Sequence, residues 1–165
     1  MKNYNKKIII TAMFACLCCV ATMIIKIPSP LEGYINLGDV IVLLSGWMLS
    51  PALGFCAAAI GSALADVFSG YMLYVPATFL IKGVMSVVSG YIFRTLSKKS
   101  LSIVSAVISG VIAEIIMISG YYVFEGFLYG FIPSLVNIPA NAVQGVAGIV
   151  IGIPLLKIFQ KTKLF

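Results

Sequence analysis

The 165-residue chain is 61% apolar and only 10% charged, with a mean hydropathy of +1.12 and a formal charge of +6. An ordinary soluble domain carries about a quarter charged residues, so this composition excludes a water-exposed globule and implies packed membrane helices. Positive charge suits nucleic acid when Lys and Arg cluster on a folded polar face. Here they collect at the ends of apolar runs, so lipid rather than nucleic acid is the expected surrounding.

The first apolar run, about 8–27, follows Lys2, Lys6 and Lys7. A charged start of this kind resembles a signal peptide, but no small-x-small cleavage site follows and further spans come later, so it is read as a membrane helix. The run at 38–68 would be roughly 45 Å long as one helix, well beyond a bilayer core of about 30 Å. Ser50-Pro51 divides it into helices at 38–50 and 51–68, and others are expected at about 75–94, 102–124 and 132–157. The expectation is a single all-α transmembrane domain over residues 1–165 with six helices. Lys and Arg accumulate on cytoplasmic ends of short-looped membrane proteins. With the N-terminus inside, six spans put Lys2, Lys6, Lys7, Arg94, Lys98, Lys99, Lys157, Lys161 and Lys163 in the cytoplasm, whereas five would leave Arg94, Lys98 and Lys99 outside. Both termini are then cytoplasmic. Small residues recur at i, i+4 spacing, as Gly54, Ala58 and Ser62 beside Ala57, Gly61 and Ala65, and again as Gly148 and Gly152, which allows close helix contact in lipid.

Chemistry is sparse. The chain has no His and no nucleotide-binding GxxxxGK[ST] loop, and Cys16, Cys18, Cys19 and Cys56 lie inside apolar segments. No metal site, cofactor or catalytic nucleophile is expected, and the protein is not read as an enzyme. An ionisable residue at membrane depth must be paired or face a polar cavity, so Asp66, Lys82 and Glu114 stand out. Lys82 on the fourth helix has two readings, an ion pair with Asp66 of the third or a ligand contact. Glu114, in the middle of the fifth helix, needs a partner in space: Lys82, a polar ligand, or the face of the sixth helix where Asn137, Asn141 and Gln144 follow i, i+4, i+7. Pro133 and Pro139 precede and interrupt that face. The loop PSPLEGYINLGD, with Tyr34 and Asn36, has the makings of a lid over an outward-facing pocket.

That loop reads Pro30-Leu-Glu-Gly33-Tyr34-Ile-Asn36-Leu-Gly38-Asp39 and is followed by Gly61-Ser-Ala-Leu-Ala-Asp66, Gly70-Tyr71, Pro76 and Ile81-Lys82-Gly83. Over nearly the whole chain these residues resemble the substrate-binding S components of energy-coupling factor (ECF) vitamin transporters. The resemblance implies a six-helix fold in the bacterial plasma membrane and a vitamin site near the outer face. It also implies docking onto a transmembrane T component driven by two ATPases. Where many relatives carry Ala-x-x-x-Ala on the first helix to contact the T component, this chain has Thr11, Ala15 and Cys19. Relatives serve pantothenate, pyridoxine or hydroxymethylpyrimidine. An anionic pantothenate would want Lys82 free, whereas a heteroaromatic would suit Glu114, the carboxamides and stacking tyrosines, and the heteroaromatics are favoured. A stand-alone membrane carrier or channel, or a structural subunit of a larger complex, are the competing classes.

Overall fold

A computed structural model describes residues 2–29, 31, 33–98 and 102–161, with the side chains of 2–4 excepted. Lys99 and Lys163, expected in the cytoplasm, lie outside the described residues, as do Pro30, Glu32 and the side chain of Lys2. The chain runs through α1 (Lys2–Ile24), a short hairpin of β1 (Ile27–Pro28) and β2 (Tyr34–Ile35), α2 (Gly38–Met48), α3 (Pro51–Ser69), α4 (Val75–Leu96) and α5 (Ser102–Tyr129). A single-turn α6 (Phe131–Ser134), a 3-10 turn (Leu135–Asn137) and α7 (Ile138–Lys161) complete it. Among the described residues five segments are long and apolar enough to cross a membrane, and α2 is a shorter apolar helix. At 11 residues α2 rises only about 16 Å. It is buried among its neighbours, with Val42, Leu43 and Leu44 fully enclosed.

Local chemistry explains the boundaries. Ser50 is extended and Pro51 takes the first position of α3, where its missing N–H costs nothing. Gly70 ends α3 in the left-handed region at φ 84°, and Gly130 breaks the chain after α5 at φ 93°. α5 runs to Tyr129, five residues past the expected end at 124, because nothing before Gly130 stops it. The last segment departs further from expectation. Leu135–Asn137 form a 3-10 turn ahead of α7, so Asn137 does not continue the face of Asn141 and Gln144. Pro139 falls in the first turn of α7, where no helical hydrogen bond is lost.

The helices approach through small residues. Gly61 of α3 packs on the backbone of Ala15 and on Cys18 of α1, Gly46 of α2 meets Ser86 and Ser89 of α4, and Gly90 of α4 abuts the carbonyl of Gly46. A β-carbon at Gly90 would collide with backbone. Close approach lets polar groups bridge helices: Ser45 and Ser86 hydroxyls lie 2.9 Å apart, and Trp47 donates its indole N–H to Ser109 at 2.9 Å. Arg94, in the last turn of α4, donates to the carbonyls of Gly46 at 3.2 Å and Leu49 at 2.9 Å, covering the otherwise open C-terminus of α2.

Candidate functional site

α1, α3 and α5 finish, and α2, α4 and α7 begin, at the same end of the bundle, and there a cavity of about 480 Å³, mouth included, opens beneath the hairpin. Six residues singled out from sequence line it: Tyr34, Asn36, Asp66, Lys82, Asn141 and Gln144. Tyr34 and Asn36 come from the hairpin and its exit, Lys82 from the second turn of α4, and Asn141 and Gln144 from one face of α7.

Two residues expected in the site are not in the lining. Glu114 turns toward α7 below the cavity, against Gly145 and Gly148. Asn137, displaced by the 3-10 turn, donates its amide to Glu125 Oε1 at 2.9 Å. Thr78 and Glu125, which the sequence does not mark, also line the cavity, and so do Tyr74 and Tyr121, two of the outer tyrosines among which the sequence alone does not choose. Glu125 falls one residue beyond the expected helix end at 124; its signal is the length of the fifth apolar run, which keeps residue 125 inside a helix.

The ion pair also has a different partner. Lys82 is bonded to Asp39, not Asp66, and this is the one salt bridge among the described residues. Asp39 sits in the first turn of α2, where the positive end of the helix dipole favours a carboxylate, and is fully buried. Its second oxygen accepts from Gln144 Nε2 at 2.6 Å. Gln144 in turn accepts from the Asn36 backbone N–H at 2.8 Å, and Asn36 accepts from the Gly38 N–H at 2.8 Å. The Lys82 ammonium also faces the Tyr121 ring at 5.4 Å from its centroid. Asp66 accepts instead from the Tyr34 hydroxyl at 2.5 Å. Burial first, and then the Asp66 carboxylate beside it, push the Tyr34 phenol well above the usual range, so it stays a donor. Tyr34 packs on Tyr71 with centroids 4.5 Å apart, Lys26 donates to Ser69 at 2.8 Å, and Tyr74 donates to the Leu31 carbonyl at 2.6 Å. These contacts hold the hairpin down over the cavity.

A cavity lined by carboxamides, tyrosines, two carboxylates and one ion-paired lysine has the chemistry to hold and orient a small polar molecule. Among the described residues no cluster suited to a metal ion occurs.

The family model for the ECF-type riboflavin transporter S component matches residues 2–161. The chain belongs to this family. It is thus a multi-pass membrane protein and the substrate-binding subunit of an ECF transporter, not an enzyme. This S component is 34% identical over 134 residues, 81% of the chain and 87% of the relative, to a protein of Pyrococcus woesei described as "Uncharacterized protein in gap 3'region". Its fold matches that of a solved S component of a bacterial ECF transporter with a TM-score of 0.71 at 24% identity, covering 96% of this chain and 98% of that one. The all-α architecture expected from composition is therefore that of the S components.

In this S component the residues read as a docking strip, Thr11, Ala15 and Cys19, are half-buried along α1. Ala15 lies against Gly61 of α3, the Thr11 hydroxyl donates to the Lys7 carbonyl at 2.8 Å, and Cys19 contacts the Met23 sulfur at 3.8 Å.

Proposed function

We propose that this S component captures riboflavin from the outer side of the membrane and delivers it inward as part of an ATP-driven ECF transporter. The observation that carries the choice of vitamin is the charge state of the cavity. The Lys82 ammonium is committed to Asp39, while Glu125 reaches the cavity with one oxygen unpartnered. Among the described residues the site thus offers acceptors and no free cation, which disfavours an anion such as pantothenate and suits a neutral, hydroxyl-rich ligand. Riboflavin is neutral, with a polyhydroxyl chain and a flat ring. Tyr34, Tyr74 and Tyr121 supply ring faces, and Asn36, Asn141 and Gln144 supply amides that both donate and accept. The family description supports the same vitamin. Pyridoxine and hydroxymethylpyrimidine, favoured on residue chemistry alone, use fewer of these groups.

Calorimetry of the detergent-solubilised protein against riboflavin, pyridoxine, hydroxymethylpyrimidine, pantothenate, thiamine and folate tests the assignment. Riboflavin should bind tightest and pantothenate not at all. Glu125→Ala should weaken riboflavin by about 1.5–3 kcal/mol, roughly tenfold to a hundredfold, as for a lost charge-assisted hydrogen bond. Tighter binding of pyridoxine, or an unchanged affinity in the Glu125 variant, would assign the vitamin or the site elsewhere.

The orientation that goes with this reading puts both termini in the cytoplasm. Lys6, Lys7, Arg94, Lys98, Lys157 and Lys161 then share the inner end, opposite the cavity. Single-cysteine labelling in a cysteine-free background should find 1–6, 97–100 and 160–165 accessible from inside; labelling of Ser97 from outside would reverse the topology. Uptake would further require a T component, docked along α1 at Thr11, Ala15 and Cys19, and two ATPases. Co-purification with these subunits separates this reading from a stand-alone carrier.

A further inference from the structure

Glu114 is a buried carboxyl that neither the fold nor the cavity accounts for. It is 4% exposed at the middle of α5, and neither of its oxygens has a hydrogen-bond partner among the described residues. Oε1 lies 3.1 Å from the point a β-carbon on Gly148 would occupy, and the Asp39 β-carbon lies 3.1 Å from the same point. Glu114 and Asp39 therefore flank one glycine of α7. Of these two carboxyls, Asp39 carries the Lys82 ammonium of α4. Two buried carboxyls thus meet at one glycine, and one ammonium is bonded there. One ammonium compensates one carboxylate, and an uncompensated buried charge is strongly unfavourable, so the second carboxyl is held as the neutral acid.

Lys82 and Gln144 line the cavity, whereas Asp39, which accepts from both, does not. A ligand that engages these two side chains draws away the donors that stabilise the Asp39 carboxylate.

We propose that Glu114 is a positioning residue for the substrate cavity, the alternate counter-ion to which Lys82 turns when a ligand takes up its contacts with the Asp39 side. In that exchange the O–H bond at Glu114 breaks and one forms at Asp39, while the ammonium moves to the Glu114 carboxylate; total charge is unchanged. The inference rests on the reading of this cavity as the substrate site.

Infrared difference spectroscopy, thermal unfolding and riboflavin titration of the detergent-solubilised protein test it together. Ligand-free wild type should show a neutral-carboxyl stretch that E114Q removes, and riboflavin should shift that band. E114Q should bind riboflavin about tenfold more weakly while its ligand-free midpoint holds or rises, and E114D should recover part of the affinity. Without ligand, D39N should retain Glu114 as counter-ion, so D39N/E114Q should lose more thermal stability than the two single losses added. A band that survives E114Q, a strictly additive double variant, or an E114Q affinity equal to wild type overturns the proposal. If riboflavin does not bind wild type, the vitamin assignment falls, and the ligand-free band and midpoints still decide whether Glu114 backs up Asp39.

Discussion

Lys82→Met is expected to lower stability by roughly 3–5 kcal/mol, the cost of removing one partner of a buried pair and leaving the other charged and alone. The pair is Lys82 with Asp39, both almost fully enclosed. Met preserves most of the side-chain length, so little of the effect comes from lost volume. Asp39 keeps its bond from Gln144 and its place at the start of α2, which sets the loss at the lower end of that range. Adding Asp39→Asn to Lys82→Met should recover stability, because an amide needs no counter-charge. Asp66→Asn should cost far less than Lys82→Met, since Asp66 is held by the Tyr34 hydroxyl rather than by the lysine. Equal losses for Lys82→Met and Asp66→Asn in thermal or denaturant unfolding would show that the lysine serves both acids.

Gln144→Ala is the second large effect. Its amide nitrogen donates to the buried Asp39 carboxylate, and its oxygen accepts from the Asn36 backbone N–H. The charge-assisted bond alone is worth about 1.5–3 kcal/mol, and an orphaned buried N–H adds a desolvation cost of about 1–3 kcal/mol. Gln144 also joins three elements, α7, α2 and the exit of the hairpin. Its truncation should therefore loosen the hairpin as well as lower stability. Hydrogen exchange at Tyr34–Asn36 and the riboflavin affinity of the variant read the two effects separately. Protection of these amides at the wild-type level would show that Tyr34, Tyr74 and Lys26 suffice to hold the hairpin.

Much of the architecture was legible because membrane helices obey strong one-dimensional rules. Apolar length, the position of Ser50-Pro51, and Lys and Arg at run ends leave few arrangements in a bilayer that offers the backbone no other hydrogen-bond partners. The misplaced elements are those where local turn chemistry outweighs hydropathy. Leu135–Asn137 are as apolar in context as a helix start, yet they form a 3-10 turn between Pro133 and Pro139, and the expected i, i+4, i+7 face lost its first member. Likewise, an expected end at 124 leaves Glu125 outside the fifth helix, although the apolar run continues to Tyr129 and nothing before Gly130 stops it.

The sequence by itself determined that the protein lives in a membrane as an all-α bundle, that its few buried ionisable groups are its most informative positions, and that Tyr34, Asn36, Lys82, Asn141 and Gln144 concern one end of that bundle. Only the tertiary structure decided which charge meets which. Lys82 stands 43 residues from Asp39, and Gln144 stands 105 from the same carboxylate. Asp39 and Asp66 both lie at helix ends on one side, so sequence spacing cannot choose between them as partners for a flexible lysine. The choice comes from how close the backbones pack, through the glycine contacts of α2 with α4 and α7, and that closeness sets Asp39 rather than Asp66 against the ammonium.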